Sequence, residues 1–261
     1  MPLLPGSHVL SDHLPELATP RGMLVALAMF IVPAGLAAAA LEFLVTDRPT
    51  LALVFMIALL IVAHWLLSLA YDPSSQPYAT AVFNRGVPAL GIHAAAFFFV
   101  AVNPTLGETL LFGNSIRLVI AVYLLVVGVG MGVRAVRSGG IDTMAGVYVY
   151  FPEEGQLFQD GVYGVLRHPM YGGAARIALG LALIPGSAYA LLLAVIIAFV
   201  YIPAWLPVEE SDLRRRFGDY AAYAEERPAL WPSSPAGELE LLRRVFLGSS
   251  PTTPSASSSS A

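Results

Sequence analysis

The sequence predicts an all-α, polytopic membrane protein with four transmembrane helices, a helical hairpin and a cytosolic amphipathic helix. Three observations carry this. Hydrophobic residues make up 57% of the 261 and charged residues only 12%, against about 25% charged in soluble domains. The apolar residues fall in runs close to the ~20 residues that cross a bilayer as a helix. Pro- and Gly-containing breakers separate the runs. Cysteine is absent, which excludes disulfides, zinc–thiolate sites and cysteine nucleophiles, and no metal site is expected. No basic stripe with interleaved aromatics is present, so nucleic acid is not an expected partner.

Residues 1–22 read as a cytosolic N-terminal segment. They lack a basic n-region, and the apolar run that follows is too long for a signal-peptide core, so it is a retained span. Met23–Val45, Thr50–Tyr71, Gly86–Asn103 and Ile116–Val136 form a four-span region over 23–137. Their linkers carry D-R-P at 47–49, D-P-S-S-Q-P at 72–77 and N-P at 103–104. Met170–Ile184 is followed by Pro185-Gly186-Ser187 and Ala188–Leu206. Pro-Gly-Ser marks a tight reversal, so the two arms form a hairpin that enters and leaves on one side, and the first arm spans about 22 Å. After Pro207, the spacing of Leu213, Phe217, Tyr220, Ala221 and Ala224 predicts a cytosolic amphipathic helix, which completes a region over 138–232 that contains the hairpin. In the remaining 233–261, Glu238–Leu247 is a second amphipathic stretch expected on the membrane surface. Residues 248–261, rich in Ser, Thr and Pro, are expected to be disordered. All 14 basic residues are arginine. With the hairpin in place, all but Arg48 and Arg117 fall on one side, which puts both termini and the polar blocks in the cytosol.

Two polar blocks interrupt this apolar chain. The first, Gly161–Gly173, reads G-V-Y-G-V-L-R-H-P-M-Y-G-G, and the second begins at Glu209 with E-E-S-D-L-R-R-R-F-G-D-Y-A-A-Y. Pro169 suits the first turn of a helix and pushes His168 out of the α region. The helix start is an anion site, Gly172 and Gly173 allow close approach of a ligand or helix, and Tyr163 and Tyr171 offer aromatic faces. Glu209 and Glu210 point about 100° apart on a helix, so one is expected to hold a ligand while the other holds the protein. A ligand with both a carboxylate and a cation fits this set.

That description matches S-adenosylmethionine. The pattern G-x-Y-x-x-x-R-H-P-x-Y-x-G, followed by E-E-x-x-L-x-x-x-F-G-x-x-Y-x-x-Y, resembles the isoprenylcysteine carboxyl methyltransferase and phospholipid methyltransferase group. The resemblance covers residues 157–232 and implies a cofactor site of Leu157, Gly161, Tyr163, His168, Pro169, Tyr171, Gly173, Glu209 and Glu210. Arg167, Arg176 and Glu210 are the candidate catalytic residues. It further implies a cytosolic cofactor pocket partly covered by the segment after the last helix. The implied partners are membrane lipids and a lipophilic or small-molecule acceptor that enters from the lipid. Val162 stands where the group usually has proline. The last membrane segment lacks the arginine that would meet a prenylcysteine carboxylate, and Arg176 is the candidate replacement. A neutral thiol or amine is therefore the preferred acceptor. Two other readings stay open. Membrane sterol reductases carry a similar R-H-P-x-Y block and use NADPH, but lack this Glu-Glu to Phe-Gly spacing. A scaffold protein with a degenerate site would bind cofactor without turnover. His64 and His93 lie inside spans, where an ionisable residue is a functional candidate by default, while a neutral histidine bonded to a neighbouring helix is the plainer reading. Tyr220 and Tyr223 read as packing residues, and Arg134 and Arg137 as topology anchors.

Overall fold

The computed structural model describes residues 8–15, 19–47, 49–70, 72–74, 77–102, 114–144 and 147–248. Expectations for residues 1–7, Arg48, the N-P linker at 103–104 and the tail beyond 248 lie outside these residues. The helices are α1 (His8–His13), α2 (Pro20–Asp47), α3 (Pro49–Ala70), α4 (Tyr78–Ala81), α5 (Val87–Val102), α6 (Asn114–Met144), α7 (Val147–Tyr150), α8 (Pro169–Leu183), α9 (Ala188–Ile196), α10 (Ile202–Arg216), α11 (Tyr220–Glu226) and α12 (Pro235–Phe246). No strand occurs among the described residues. Pro20–Ala40, Leu51–Ala70, Ser115–Gly140 and Ala188–Arg216 are long and apolar enough to cross a membrane. Leu24, Leu36, Ile61, Val119 and Val200 on these helices are exposed, as suits a lipid-facing surface. The chain is an all-α polytopic membrane protein.

The third expected span, Gly86–Asn103, is not among these four, and the Ala188–Arg216 arm of the expected hairpin is. α5 has 16 residues and follows a π-helical turn at Val82–Gly86, itself continuous with α4. Pro88 has no N–H to give the preceding turn, and the wider turn accommodates that loss.

The hairpin forms as predicted. Gly186 takes φ 73° at its tip, a conformation that favours glycine, and the Ser187 hydroxyl caps α9 by accepting from the Ala190 amide at 3.3 Å. The tip packs on Arg117, near the start of α6, so closely that a Cβ on Gly186 would collide with its guanidinium. The first arm, α8, thus runs along α6, while α9 packs on α8, α5 and α3. α6 and α8 meet backbone to backbone: a Cβ on Gly173 would lie 2.7 Å from the Gly128 carbonyl oxygen, and one on Gly128 2.7 Å from that of Gly173. Small residues permit such approach between membrane helices.

Two expectations are corrected. No break occurs at Pro207: the helix runs from Ala188 to Arg216 through Pro203 and Pro207. A π turn at Ile197–Tyr201 sits where Pro203 withholds its N–H, the kind of local adjustment that lets proline persist in a membrane helix. The predicted amphipathic helix is instead split at Phe217–Asp219, with α11 as a separate turn. Nor does α12 lie flat on a surface. Its Leu241 and Val245 are buried with Val127, Met131 and Ala135 of α6. Tyr123, inside the same span, donates to Glu238 at 2.6 Å. Upstream, Trp231 stacks on Phe199. Residues 228–246 therefore run down beside α8 and return along α6.

Gly173→Ala should lower stability by about 1–3 kcal/mol, because the methyl meets backbone that must move. Gly132→Ala on the same bundle, with nothing within 4 Å of its Cβ, should be neutral or stabilising by about 0.5–1 kcal/mol. Thermal unfolding in detergent compares the two.

Candidate active site

The α8 start and the α10 end bring the two blocks together. His168 is the residue before α8, with φ −124° and ψ 63°, and Pro169 opens the helix, as the proline rule requires. The ring is buried, at 4% exposure, and lies between two carboxylates. Its Nε2 donates to Glu210 Oε1 at 3.1 Å, and Nδ1 lies 3.6 Å from Glu209 Oε1. Burial alone would push the ring down, but the hydrogen bonds and charges of Glu209 and Glu210 lift it to about 9. His168 is an imidazolium at neutral pH.

Arg167 completes the cluster. Its Nη2 and Nε donate to the same Glu210 oxygen at 2.7 and 3.0 Å. Its Nη1 donates to the Ala224 carbonyl at 2.8 Å and to that of Arg227. The backbones of Arg167 and His168 donate to Pro228 and Ala229, each at 3.0 Å. The segment that follows α11 therefore pairs with the backbone just before α8.

The two glutamates differ as their 100° offset predicts. Glu210 holds Arg167 and His168, with Arg214 3.7 Å away. Glu209 Oε2 is buried and accepts no hydrogen bond, and the Tyr220 hydroxyl nearby is also buried and unpartnered. Buried polar atoms are ordinarily bonded, so these two stand out, as do Arg227 Nε and Trp231 Nε1. Burial and the Glu209 charge push the Tyr163 phenol up; its carbonyl accepts from Tyr223 at 2.7 Å. Tyr171 lies 5.9 Å from the His168 ring and accepts from the Trp205 indole at 3.0 Å. Trp205, buried on α10, carried no signal in the sequence.

Other predicted residues fall elsewhere. Gly173 faces Gly128 rather than the cluster. Gly161 takes φ 59°, and its carbonyl accepts from Arg244 at 2.7 Å. Leu157 lies half-buried in the loop before it. Arg176 is 1% exposed and fully engaged: it pairs with Glu238 at 3.1 Å, donates to the carbonyls of Gly172 and Leu230 at 3.2 Å, and lies 4.3 Å from the Trp231 ring centroid. Its Nη1 and Nη2 are thus held by the protein. Glu238 lies 62 residues from it in sequence, with no local pattern to announce the pair. Arg167 and Glu210 also line an open cleft of 640 Å³, together with Pro203, Leu206, Pro207, Ser211, Arg214 and Arg215.

Arg167, His168, Glu209 and Glu210 thus form a charged constellation at one end of the bundle, with Glu209 Oε2 and Tyr220 Oη unpartnered. Residues 116–220 match the family model for phospholipid methyltransferases, the group that the two blocks resemble. The match supports a membrane methyltransferase. It spans α6, the hairpin and both blocks as far as Tyr220, and so reaches back into a span that carries no visible motif. No curated protein and no solved structure matches the chain.

The His168 shift fixes a pH dependence. A folded-state value of about 9 against 6.5 contributes stability fully present below pH 6.5 and lost as pH rises through about 9. The midpoint of thermal unfolding should fall across that window, and His168→Gln should flatten the slope.

Proposed function

We propose that the protein is an integral membrane methyltransferase that takes its methyl group from S-adenosylmethionine and passes it to a lipophilic or small membrane-accessible acceptor. The observation that carries this is the buried cluster of Arg167, His168, Glu209 and Glu210, with Glu209 Oε2 and Tyr220 Oη unpartnered, inside the segment that matches a methyltransferase family. When bound, the cofactor supplies an electrophilic methyl group on a sulfonium. Glu209 holds its cationic portion, and the faces of Tyr163 and Tyr171 suit a cation. Tyr220 donates to it. Glu210, Arg167 and His168 act as positioning groups that keep Glu209 in place. The Glu209 side is preferred to the cleft, because there Glu210 and Arg167 already satisfy one another. Loading requires the pairing of residues 228–229 with 167–168 to open.

The engagement of Arg176 by Glu238 removes the candidate clamp for a prenylcysteine carboxylate. Burying an unpaired carboxylate is costly, which favours a neutral acceptor. The family match favours methyl transfer over the NADPH-dependent reductase reading, and a scaffold role would leave the buried charges without purpose. The arginine distribution supports cytosolic termini and a cytosolic site.

Calorimetry in detergent should give micromolar or tighter binding of S-adenosylhomocysteine, about −8 kcal/mol. Glu209→Gln and His168→Ala should each weaken it by about 1–3 kcal/mol. Unchanged affinity in both variants overturns the assignment, and preferential binding of NADPH restores the reductase reading.

For topology, single cysteines at Ser138 and Ser211 should be shielded from an impermeant thiol reagent in intact cells, and one at Ser115 should label. The native chain has no cysteine to confuse the result.

A further inference from the structure

Below Glu209, on the same face of the last long helix, lies a second polar group that the cofactor cluster does not use. Tyr201 is two turns before Glu209, about 12 Å along the axis, with Trp205 between them. The Tyr201 hydroxyl meets His93 Nε2 at 2.5 Å, and His93 Nδ1 meets the Ala89 carbonyl at 2.6 Å. The His64 ring packs edge-on against both Tyr201 and Trp205, at 5.6 and 5.3 Å between centroids. Three helices, α3, α5 and the α9–α10 arm, thus converge on one phenol. The π turn Ile197–Tyr201 ends on that residue, and such bulges frequently sit at functional sites.

The hydrogen-bond directions are determined by the partners. A carbonyl only accepts, so His93 Nδ1 carries the proton. On its own helix His93 is flanked by the buried apolar Ala89, Ile92 and Ala96, and the groups that meet it from other helices, Tyr201 and His64, bring no negative charge, so a lone imidazolium there is costly. The ring is therefore neutral, Nε2 is an acceptor, and Tyr201 donates to it. This leaves the lone pairs of Tyr201 Oη directed away from His93. Tyr201, His64 and His93 are all only half-buried, and the neighbouring Phe199 and Val200 are exposed. The phenol sits at the boundary between bundle and lipid.

We infer that Tyr201, backed by His93, is the proton acceptor for a lipophilic, neutral, protic nucleophile—a thiol, phenol or amine—that reaches the site from the bilayer. This rests on the methyltransferase reading above. The acceptor's lone pair forms the new bond to the methyl carbon of S-adenosylmethionine, and the carbon–sulfur pair returns to sulfur. The proton of the acceptor's S–H, O–H or N–H passes to Tyr201 Oη, as the proton of Tyr201 passes to His93 Nε2. One positive charge leaves the sulfonium and one appears on the imidazolium, so the apolar site holds the same net charge before and after. A carboxylate acceptor has no such proton to give. It would also bring an anion to a dyad that offers no cation, and the buried guanidinium of Arg176 is held by Glu238. Tyr201 is the catalytic residue of this step, and His93 is a positioning residue that acts through it.

The test uses the full-length protein in detergent with four probes: dodecanethiol, para-dodecylphenol, dodecylamine and N-acetyl-S-farnesylcysteine. The wild type should methylate at least one of the first three and prefer it to the farnesyl acid. Tyr201→Phe and His93→Gln should each lower kcat on that probe by about 10²-fold or more, the range of general-base catalysis. Calorimetric affinity for S-adenosylhomocysteine should be unchanged. The wild-type rate should fall at acidic pH as the imidazole takes a proton, and His93→Gln should lose that limb, which a merely structural role would not move. Independently of turnover, NMR of isotope-labelled histidine nitrogens should show one ring with an unprotonated Nε2 that shifts on Tyr201→Phe. Wild-type kcat in both variants overturns the inference, as does transfer to the farnesyl acid alone. An absence of transfer to every probe overturns it too. If S-adenosylhomocysteine also fails to bind, the methyltransferase reading falls with it; if it binds, that reading stands.

Discussion

A charge in an apolar matrix must meet its opposite, and in this chain that requirement closes the hairpin. Arg167 and His168 stand at the start of one arm, and Glu209 and Glu210 just beyond the end of the other. Their pairing at 2.7 to 3.6 Å ties the open ends of two helices whose far ends are already joined by the turn at Gly186. Removing one partner would leave a buried charge unmet, which costs more than the pair itself contributes. Pinned at both ends and notched into α6 through Gly128 and Gly173, the arms have little freedom to shift. The rigidity of the cluster follows from that, and so does its polarity: Glu210 is used internally, and Glu209 retains an oxygen.

The second buried charge organises the remainder. Arg176 projects from α8 one to two turns below the cluster, and Glu238 answers it from the C-terminal segment. The same arginine binds the Leu230 carbonyl and lies against Trp231. A short stretch therefore descends along the hairpin, neutralises the guanidinium and returns as α12 along α6. On its way it supplies the Pro228 and Ala229 carbonyls to the backbone of the upper cluster. The two ionic sites share one cover.

Much of this was legible in the sequence because it is local. Hydropathy and breakers located the first, second and fourth expected spans, Pro185-Gly186-Ser187 located the reversal, and the R-H-P and E-E blocks located the cluster. Their meeting followed from the hairpin that separates them. The misses are non-local. Nothing near Arg176 announces Glu238, so an engaged arginine reads as a free one. Gly173 looks like a ligand notch until α6 occupies it. The amphipathic spacing across 213–224 is real, but Phe217 leaves the helix and divides it. Pro207 looks like an end because its missing N–H is visible in sequence, whereas the π turn that relieves the neighbouring Pro203 is not. His93 and Tyr201 are 108 residues apart, and only the packing of α5 on the last helix makes them a pair.

The chain order of the Arg176–Glu238 pair has a consequence for biogenesis. Arg176 enters the bilayer with its hairpin some sixty residues before its counter-charge, and an uncompensated guanidinium there costs on the order of 3 kcal/mol. The hairpin is therefore least settled in the interval between its insertion and the arrival of the following segment. A translation product that stops short of Glu238 keeps that exposed charge permanently. Synthesis of the segment that carries Glu238 is thus registered within the membrane, as the neutralisation of one arginine.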